Sequence, residues 1–374
     1  MSDVLVAGGG LIGLAVAWRS AQRGLSVTVV DAAPGSGASS AAAGMLAPVT
    51  EAAYGEEALL RLCLASLQRW PAFAAEVEAA SGVRVGLRTA GTLVVGFDDD
   101  DMRELEALHA FQQELGLTAE RLTGRAARRR EPSLTPRLRG ALAVDGDHSV
   151  DGRALHAALL VAAEAAGVRV ERARVEALLV ADGRATGLRL AGGAELGASA
   201  VVLALGAWSA ALDGVPPLPV RPVKGQILRL RSASGLLAGT VRALVRGRHV
   251  YLVPWDEDGL IVGATVEERG FDATVTAGAV HELLHDAIEV VPGITELELV
   301  ETLARWRPGT EDNAPLLGPS ELPGLVLATG HYRNGVLLTP VTGDVIAEQL
   351  ATGTLPAPAA PFTTERFRRR PACG

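Results

Sequence analysis

Three glycines near the N-terminus, Gly8, Gly10 and Gly13, have the spacing G-x-G-x-x-G, in which a tight backbone turn leads directly into a helix. Gly8 permits the turn, Gly10 lets the backbone approach a ligand, and Gly13 allows the helix to pack closely on the preceding strand. The first amides of such a helix favour a bound anion such as a diphosphate. Asp31 ends the next predicted strand, where its carboxylate can accept hydrogen bonds from a ribose and would repel a 2′-phosphate. The pattern predicts a dinucleotide, either FAD or NAD rather than NADP.

The chain around these glycines has the pattern of one strand-helix-strand unit. Residues 4–7 form an apolar run, residues 11–23 have apolar side chains at helical spacing, and residues 26–30 are rich in β-branched side chains. Further apolar strands, which alternate with helices as in a parallel sheet, are predicted at residues 168–170, 175–180, 201–205 and 324–328. These segments predict an α/β fold with a Rossmann-type dinucleotide-binding domain.

Two other stretches have a different pattern. Residues 56–131 are mostly helical around a strand-like segment at 91–97, and Asp98 begins a further helix. Residues 220–300 alternate short strands with a helix at 277–290. They predict a second, substrate-binding domain built on a mixed sheet rich in antiparallel pairs.

The composition is that of a globular enzyme with two domains. Of 374 residues, 48% are hydrophobic and 21% are charged, and this length exceeds what one core usually serves. The formal net charge of -8 argues against a nucleic-acid partner, and no apolar run is long enough to span a membrane. Two cysteines, Cys63 and Cys373, are too few for a disulfide framework, and the N-terminus lacks a secretory leader pattern, so a cytoplasmic location is expected.

Small side chains follow the first strand-helix-strand unit. Residues 38–45 read Ala-Ser-Ser-Ala-Ala-Ala-Gly-Met, which permits close approach of a long cofactor beyond its diphosphate. With this segment and others, the chain resembles the D-amino-acid oxidase family of FAD-dependent oxidoreductases over nearly its whole length. The motifs that carry the resemblance are the glycine turn at 8–13, the Ser-Ala-Ala-Ala-Gly-Met run at 40–45, Pro-Val-Lys-Gly at 222–225, Tyr-Leu-Val-Pro at 251–254, Arg-Pro-Gly-Thr at 307–310 and Gly-His-Tyr-Arg-Asn-Gly at 330–335.

The resemblance implies FAD as the cofactor. It implies cofactor contacts, besides those of the glycine turn, at Leu11, Ile12, Asp31, Ser39, Ser40, Ala43, Gly44, Met45, Val175, His331, Tyr332, Arg333, Asn334, Gly335, Val336 and Leu337. The backbone amides of residues 334–336 and a last helix from about residue 342 are expected at the pyrimidine edge of the flavin. Because no cysteine lies near Arg307 or Arg333, the FAD is expected to be non-covalent.

The domain boundaries follow from these assignments. An FAD-binding domain is predicted from residues 1–47, 145–219 and 325–353, and a substrate domain from residues 48–144 and 220–324. A flexible tail is predicted from residue 354 to residue 374, because this Pro- and Arg-rich segment has no periodic pattern.

The activity that the resemblance implies is the oxidative deamination of glycine or another small amino acid. A hydride would pass from the α-carbon to flavin N5, giving an imine, and oxygen would reoxidise the flavin to give hydrogen peroxide. The expected context is the thiazole branch of thiamine biosynthesis, and the expected assembly is a homo-oligomer, a tetramer by resemblance. Sarcosine, D-alanine and D-proline are alternative substrates, and a D-amino-acid dehydrogenase that uses an electron carrier is an alternative activity.

The resemblance implies substrate contacts, with catalytic roles, at Tyr251, Arg307 and Arg333, and Met45 and His249 are further candidates for the substrate site. An arginine fork matches a carboxylate with two parallel hydrogen bonds, and Arg333 is the first candidate because it follows a strand. Tyr251 and His249 share one face of a predicted strand. Arg307 either supplies a second positive charge or pairs with an acidic residue at 311 or 312.

Two features have no place in this assignment. His281 and His285 form an H-E-x-x-H pattern on a predicted helix, which is typical of zinc peptidases, yet the helix is amphipathic and no third ligand has the required spacing. A surface histidine pair is therefore favoured, and no metal is predicted. Lys224 is the only lysine of the chain, which indicates either a need for a compact ammonium group or chance.

Overall fold

The computed structural model describes residues 2–368. The helices of this part of the chain are α1 (Leu11–Gln22), α2 (Glu57–Ser81), α3 (Asp99–Glu114), α4 (Gly124–Arg130), α5 (Gly152–Ala165), α6 (Ala277–Val290) and α7 (Thr339–Thr352). The strands are β1 (Ser2–Ala7), β2 (Val27–Val30), β3 (Met45–Leu46), β4 (Thr92–Gly96), β5 (Glu120–Thr123), β6 (Gly140–Val144), β7 (His148–Ser149), β8 (Arg169–Glu171), β9 (Val175–Ala181), β10 (Arg184–Leu190), β11 (Glu195–Leu203), β12 (Arg221–Arg231), β13 (Thr240–Val245), β14 (Arg248–Pro254), β15 (Gly259–Gly263), β16 (Glu298–Gly309), β17 (Leu316–Pro319) and β18 (Leu325–Thr329).

The first large sheet contains the predicted strand-helix-strand unit at its centre. Its strands lie in the order β17-β18-β11-β1-β2-β8, and β9 and β10 extend it through antiparallel pairing with β11. β1 pairs in parallel with β2 and β11, and β11 pairs in parallel with β18. The carboxyl ends of these four strands therefore meet at one edge, which is where α/β folds bind ligands. The predicted Rossmann-type fold is confirmed.

Helices α1, α2, α5 and α7 share the largest apolar core with this sheet. In α1 nearly every residue from Leu14 to Trp18 is fully buried, so the helix is apolar on most of its surface. Gly343 allows α7 to lie close to α1, because a Cβ atom at that position would be 3.1 Å from the carbonyl oxygen of Ala15. This packing fixes the position of the turn that precedes α1.

The second large sheet has the strand order β16-β12-β15-β14-β13-β4-β6-β5. All of its pairs are antiparallel except β13 with β4, which confirms the predicted mixed, antiparallel-rich sheet. Helix α6 covers this sheet through Leu283, Ala287 and Val290, which share a core with Leu228 and Leu252 of the strands.

Two elements lie in a different part of the fold from the one that the predicted boundaries gave them. Helix α2 falls in the predicted substrate domain, yet Trp70 and Phe73 pack in the core of the first sheet, in edge-on contact at 5.5 Å. Strand β17 precedes the predicted boundary at residue 325, yet it pairs with β18 in the first sheet. Apolar periodicity predicted each element but not the core that it joins.

The predicted flexible tail also differs from the structure up to Arg368. Residues Ala357–Phe362 and Thr364–Phe367 form 3₁₀ turns, and Phe362 is buried in the first core. The Arg366 guanidinium lies 2.7 Å from Asp312 and holds the segment to the body of the protein. The segment is thus held by the buried Phe362 and the Arg366 ion pair, which a search for periodic apolar residues does not detect. Residues 369–374, including Cys373, lie outside the described residues.

Candidate active site

A connected cavity of about 1360 Å³ lies between the two large sheets. Its lining includes residues at the carboxyl ends of β1, β2, β11 and β18, which are the ligand edge of the first sheet. It also includes residues of β12, β14 and β16 in the second sheet. The predicted diphosphate turn and the predicted substrate residues thus share one cavity.

The diphosphate end is formed by the turn between β1 and α1. Gly8 has a φ of +110°, and a Cβ atom there would lie 2.4 Å from the carbonyl oxygen of Ala204. A Cβ atom at Gly13 would lie 1.9 Å from the carbonyl oxygen of Gly8, so this position requires glycine for helix-strand packing. Gly13 does not line the cavity, in agreement with that packing role.

The start of α1 offers free amides to this end of the cavity. Gly10 is the N-cap residue and has no side chain to cap the helix. The amide of Leu11 donates to Ser39 Oγ at 3.2 Å, whereas the amides of Ile12 and Gly13 have no acceptor among residues 2–368. Uncapped amides at a helix N-terminus suit a bound diphosphate. The residues at this end therefore fit a dinucleotide cofactor.

Asp31, the predicted ribose ligand, lines the cavity beside the glycine turn. Its Oδ2 accepts the amide of Gly9 at 2.7 Å, and its Oδ1 accepts the amide of Ala33 at 2.8 Å. Each carboxylate oxygen has more than one acceptor site, so both can still accept a ribose hydroxyl. The two backbone bonds fix the carboxylate at the edge of the cavity.

Ser40 is placed differently from the prediction. Ser39 lines the cavity, but Ser40 does not. Residues Ala38–Ser40 form a 3₁₀ turn, and the Ser40 hydroxyl donates to the carbonyl of Gly37 at 2.8 Å. The turn thus directs this hydroxyl to the backbone of the loop, away from the cavity lining.

The small residues that follow approach the cavity closely. Ala43, Gly44 and Met45 all line it, as does Val175 at the start of β9. Gly44 has a φ of +83°, and a Cβ atom there would lie 1.8 Å from the carbonyl oxygen of Val150. This contact explains why the segment requires glycine at that position.

The loop after β18 brings a buried histidine to the cavity. His331 is 3% exposed, its Nε2 lies 3.0 Å from Thr342 Oγ1, and burial lowers its pKa to about 3. The imidazole is therefore neutral at physiological pH. His331 and the following residues Tyr332 to Val336 line the cavity, and their contacts with a cofactor stay a prediction.

Two details of this loop differ from the prediction. The amide of Asn334 donates to the carbonyl of His331 at 2.9 Å, so of the three amides predicted at 334–336, those of Gly335 and Val336 remain without an acceptor among the described residues. Leu337 does not line the cavity, because it is buried in the first core and its carbonyl accepts Trp70 Nε1 at 2.9 Å. Helix α7 begins at Thr339 rather than near residue 342.

The opposite end of the cavity brings Tyr251 and Arg307 together. They lie on β14 and β16, which β15 and β12 separate in the sheet. Gly225 and Gly263 on the intervening strands leave room, since Cβ atoms there would lie 2.4 Å from Arg307 Nη1 and from the Tyr251 hydroxyl, respectively. Burial raises the pKa of the Tyr251 phenol, and the positive charge of Arg307 partly opposes this shift.

Arg307 is not neutralised by a neighbouring carboxylate. Its Nη1 donates to the carbonyl of Thr265 at 3.1 Å, and no acidic oxygen of the described residues lies within 4.0 Å of it. Asp312 pairs instead with Arg366. The positive charge of Arg307 is therefore available to an anionic ligand in the cavity.

Arg333 is similarly free. It lines the cavity, and its guanidinium makes no hydrogen bond or ion pair with another residue in 2–368, although it lies 5.2 Å from the ring centroid of Tyr332. Met45 and His249 line the same cavity, and His249 Nε2 lies 3.5 Å from Glu104 Oε1. Two unpaired guanidinium groups and one phenol suit a small carboxylate ligand.

Lys224 has a structural role beside this site. Its side chain is completely buried, and its Nζ lies 2.6 Å from Asp272 Oδ2 and 3.6 Å from Glu267 Oε2. Both carboxylates belong to the segment 264–276, whose Thr265 carbonyl accepts the hydrogen bond from Arg307. The ammonium group thus anchors the segment that positions Arg307.

The H-E-x-x-H residues lie away from the cavity. His281 and His285 are on the exposed face of α6, with ring centroids 6.1 Å apart, and neither lines the cavity. Asp286 accepts from His285 Nδ1 at 3.0 Å, and the described residues contain no cluster of three groups able to hold a metal.

No helix among residues 2–368 is long and apolar enough to cross a membrane.

Sequence reasoning missed one ion pair in the cavity. Arg242 Nη1 of β13 lies 2.9 Å from Oε1 of Glu51, and both residues line the cavity. Residues Thr50 and Glu51 are held in place by Asp147, whose buried carboxylate accepts the amide of Thr50 at 2.9 Å. No motif marks these residues, and only the register of β13 against β14 places Arg242 opposite Tyr251.

Comparison with known proteins shows which family the chain is similar to. Residues 3–349 match the family model described as DAO, FAD dependent oxidoreductase. The chain is 37% identical over 369 residues to the glycine oxidase of Geobacillus kaustophilus, covering 97% of each protein. The crystal structure of glycine oxidase from that organism superposes with a TM-score of 0.88 and covers 97% of this chain and 98% of its own.

Two further relatives broaden the comparison. The bifunctional protein ThiO/ThiG of Nostoc sp. is 35% identical over 347 residues, which are 92% of this chain and 52% of that protein. The structure of iminodiacetate oxidase from Chelativorans sp. BNC1 matches with a TM-score of 0.85 and 27% identity, covering 96% of this chain and 98% of that one.

Proposed function

The chain belongs to the DAO family of FAD-dependent oxidoreductases, and from this premise we propose that it oxidises glycine, or an amino acid of similar size, to an imine with release of hydrogen peroxide. It is an FAD-dependent amino-acid oxidase. The observation that carries the choice of substrate is the pair of unpaired guanidinium groups, Arg307 and Arg333, in the cavity that the glycine turn also lines.

The cofactor end follows from the residues that fit a dinucleotide. The free amide of Ile12 at the start of α1 would hold the diphosphate, Asp31 the adenosine ribose, and the amides of Gly335 and Val336 the flavin. Non-covalent binding is expected, because the described cysteine, Cys63, is buried in α2 and outside the cavity lining. Bound FAD supplies the two-electron oxidation of the amine, with oxygen as the final acceptor.

The chain's own contribution is to bind and orient the substrate. Arg333 and Arg307 would bind the carboxylate with charge-assisted hydrogen bonds, and the Tyr251 phenol would donate a further one. Because burial raises the pKa of Tyr251, the phenol keeps its proton at neutral pH and remains a donor. No general base is needed if the amine binds in its neutral form. These residues would therefore contribute to catalysis mainly by orienting the substrate.

Peroxide formation under air with glycine, sarcosine, D-alanine and D-proline tests the proposal. The purified protein should be yellow, and glycine should give the highest kcat/KM of the four. Reduction of an artificial electron carrier without peroxide would instead favour a dehydrogenase. Failure to oxidise any of the four amines in either assay would contradict the proposal.

The biological context is proposed from the relatives. The bifunctional ThiO/ThiG protein, about half of whose length the chain covers, supports a role in the thiazole branch of thiamine biosynthesis. A cytoplasmic location and a tetrameric assembly remain predictions from the sequence. Sedimentation of the purified holoenzyme measures the assembly directly.

A further inference from the structure

The cavity contains a third guanidinium group besides Arg307 and Arg333. Arg242 lies on β13 directly opposite Tyr251 of β14, next to the proposed carboxylate site. Its Nη1 is 2.9 Å from Glu51 Oε1, and the Arg242 and Glu51 side chains are 20% and 16% exposed. The pair thus occupies the wall beside the substrate, largely shielded from solvent.

The contact between Arg242 and Glu51 is electrostatic and leaves hydrogen-bonding capacity unused. Arg242 Nη1 is buried, yet it has no hydrogen bond, because its N–H is not directed along the contact with Glu51. Elsewhere in the molecule, Arg248 forms directed bonds with Asp286, with Nε donating to Oδ2 at 2.8 Å. A buried donor without an acceptor is costly, so Arg242 would gain from a second acceptor.

The charges at this wall determine what can bind there. With Glu51 present, Arg242 is neutralised and a second anionic group on a substrate would face the Glu51 carboxylate. Without Glu51, the cavity would present a guanidinium group to that second anionic group. Glu56 also lines the cavity, but its Oε1 accepts the Asn313 amide at 2.7 Å and no arginine lies within ion-pair distance.

Building on the proposed function, we propose that Glu51 determines substrate specificity by neutralising Arg242. The enzyme accepts amines with one carboxylate because Arg307 and Arg333 bind it. It rejects amines with a second carboxylate, such as iminodiacetate, because Arg242, the cation opposite Tyr251, is paired with Glu51. Removal of Glu51 converts the wall into a second carboxylate site.

The Glu51→Gln variant tests this assignment through the ratio of kcat/KM for iminodiacetate to kcat/KM for glycine. The ratio should rise by about tenfold or more, because a freed guanidinium replaces a repulsive carboxylate. In the double variant Glu51→Gln/Arg242→Met the ratio should return to the wild-type value or below. Glu56→Gln removes the same charge from the cavity without freeing a guanidinium, and it should leave the ratio unchanged.

Binding measurements separate this inference from the proposed function. The fluorescence of the cavity-lining Trp208 and Trp306 is measured during titration with malonate and with acetate. A change in this fluorescence reports carboxylate binding even if the wild-type enzyme oxidises neither glycine nor iminodiacetate. Glu51→Gln should tighten malonate binding relative to acetate, and Glu51→Asp, whose shorter carboxylate withdraws from Arg242, should do so to a smaller extent. An unchanged preference in both variants, an equal change in Glu56→Gln, or a gain that persists without Arg242 would overturn the inference.

Discussion

The two ends of the cavity are built in different ways. The diphosphate end comes mainly from residues 8–45, which are contiguous in the chain and form a turn, a helix start and a small-residue loop. The carboxylate end comes from β13, β14, β16 and the loop after β18, whose residues meet only through sheet register. Backbone amides dominate at the first end and charged side chains dominate at the second.

This difference determines which kind of substitution impairs ligand binding at each end. At the diphosphate end, the backbone must come close to the ligand, so added atoms are harmful, and removal of a side chain matters little. At the carboxylate end, each guanidinium group is a separate contribution, so truncation of a side chain is harmful. Substitutions that add atoms at one end and remove them at the other should therefore affect different measured quantities.

Arg333→Ala should have the largest effect, and it should act on catalysis alone. Loss of a charged contact to a buried carboxylate typically costs about 2–5 kcal/mol, here in kcat/KM for glycine. FAD content should remain as in the wild type, because the diphosphate end is untouched. Steady-state kinetics and the flavin absorption spectrum measure the two quantities.

Arg305→Ala is the matched control for this prediction. Arg305 also lines the cavity, but its Nε already donates to the carbonyl of Ser36 at 2.9 Å, and its Nη1 donates to the carbonyl of Ala304 at 2.8 Å. Its replacement should change kcat/KM by no more than about threefold. Equal losses in the two variants would show that Arg333 acts only through the overall charge of the cavity.

Lys224→Met should lower the free energy of unfolding by about 3 kcal/mol, because it leaves the Asp272 carboxylate without its cation and Glu267 paired with Arg269 alone. Part of this loss is screened by solvent, since the Asp272 side chain is 33% exposed. The KM for glycine should also rise as the segment that holds Arg307 loosens. Urea denaturation and kinetics measure these effects.

Lys224→Arg separates charge from shape at the same position. A guanidinium group is larger and planar, and the fully buried site has no solvent gap to receive it, so partial loss of stability is expected. Full activity, stability and flavin content in Lys224→Arg would remove the requirement for an ammonium group.

Gly13→Ala should weaken FAD binding by disturbing the diphosphate end of the cavity. The new Cβ atom would lie 1.9 Å from the carbonyl oxygen of Gly8, so α1 must shift away from the turn. Overpacking of this kind costs about 1–3 kcal/mol, which corresponds to roughly 5- to 150-fold weaker FAD binding if the strain is relieved in the unbound protein. Flavin fluorescence titration measures the dissociation constant. Gly278→Ala, also within a helix but with nothing within 4 Å of the new atom, should bind FAD as the wild type does.

The contrast between the two ends also explains what could be predicted from the sequence. The glycine turn and Asp31 are recognisable because local spacing alone determines their geometry. Arg307 and Tyr251 were predicted mainly through resemblance to a family, whereas Arg333 also had a local argument, its position directly after a predicted strand. Resemblance is less precise for single residues, as Ser40 and Leu337 show. Their neighbours Ser39 and Val336 line the cavity, whereas the Ser40 hydroxyl donates to the Gly37 carbonyl and the Leu337 carbonyl accepts from Trp70.

Glu51 and Arg242 were not predicted for a different reason. Arg242 becomes part of the site because β13 pairs with β14 and with β4, and the second pairing joins segments far apart in the chain. Glu51 reaches it through a loop that the buried Asp147 holds by accepting two backbone amides. Such long-range pairing leaves no periodic trace in either segment.

His331 lies in the loop that serves both ends, and its effect should be the smallest and dependent on pH. Its pKa is about 3 in the folded protein against an ordinary value of 6.5, because burial disfavours the charged imidazolium. As the pH falls below 6.5 the unfolded chain binds a proton that the folded protein does not, so the free energy of unfolding decreases. The loss amounts to about 2 kcal/mol between pH 8 and pH 5. His331→Gln should lack this component, so the stability difference between wild type and variant should shrink on acidification. Urea denaturation at several pH values measures this pH dependence. The variant His281→Gln, at an exposed position, is the control and should follow the wild-type profile. Parallel profiles for wild type and His331→Gln would show that the imidazole is solvated and that the loop opens at this point.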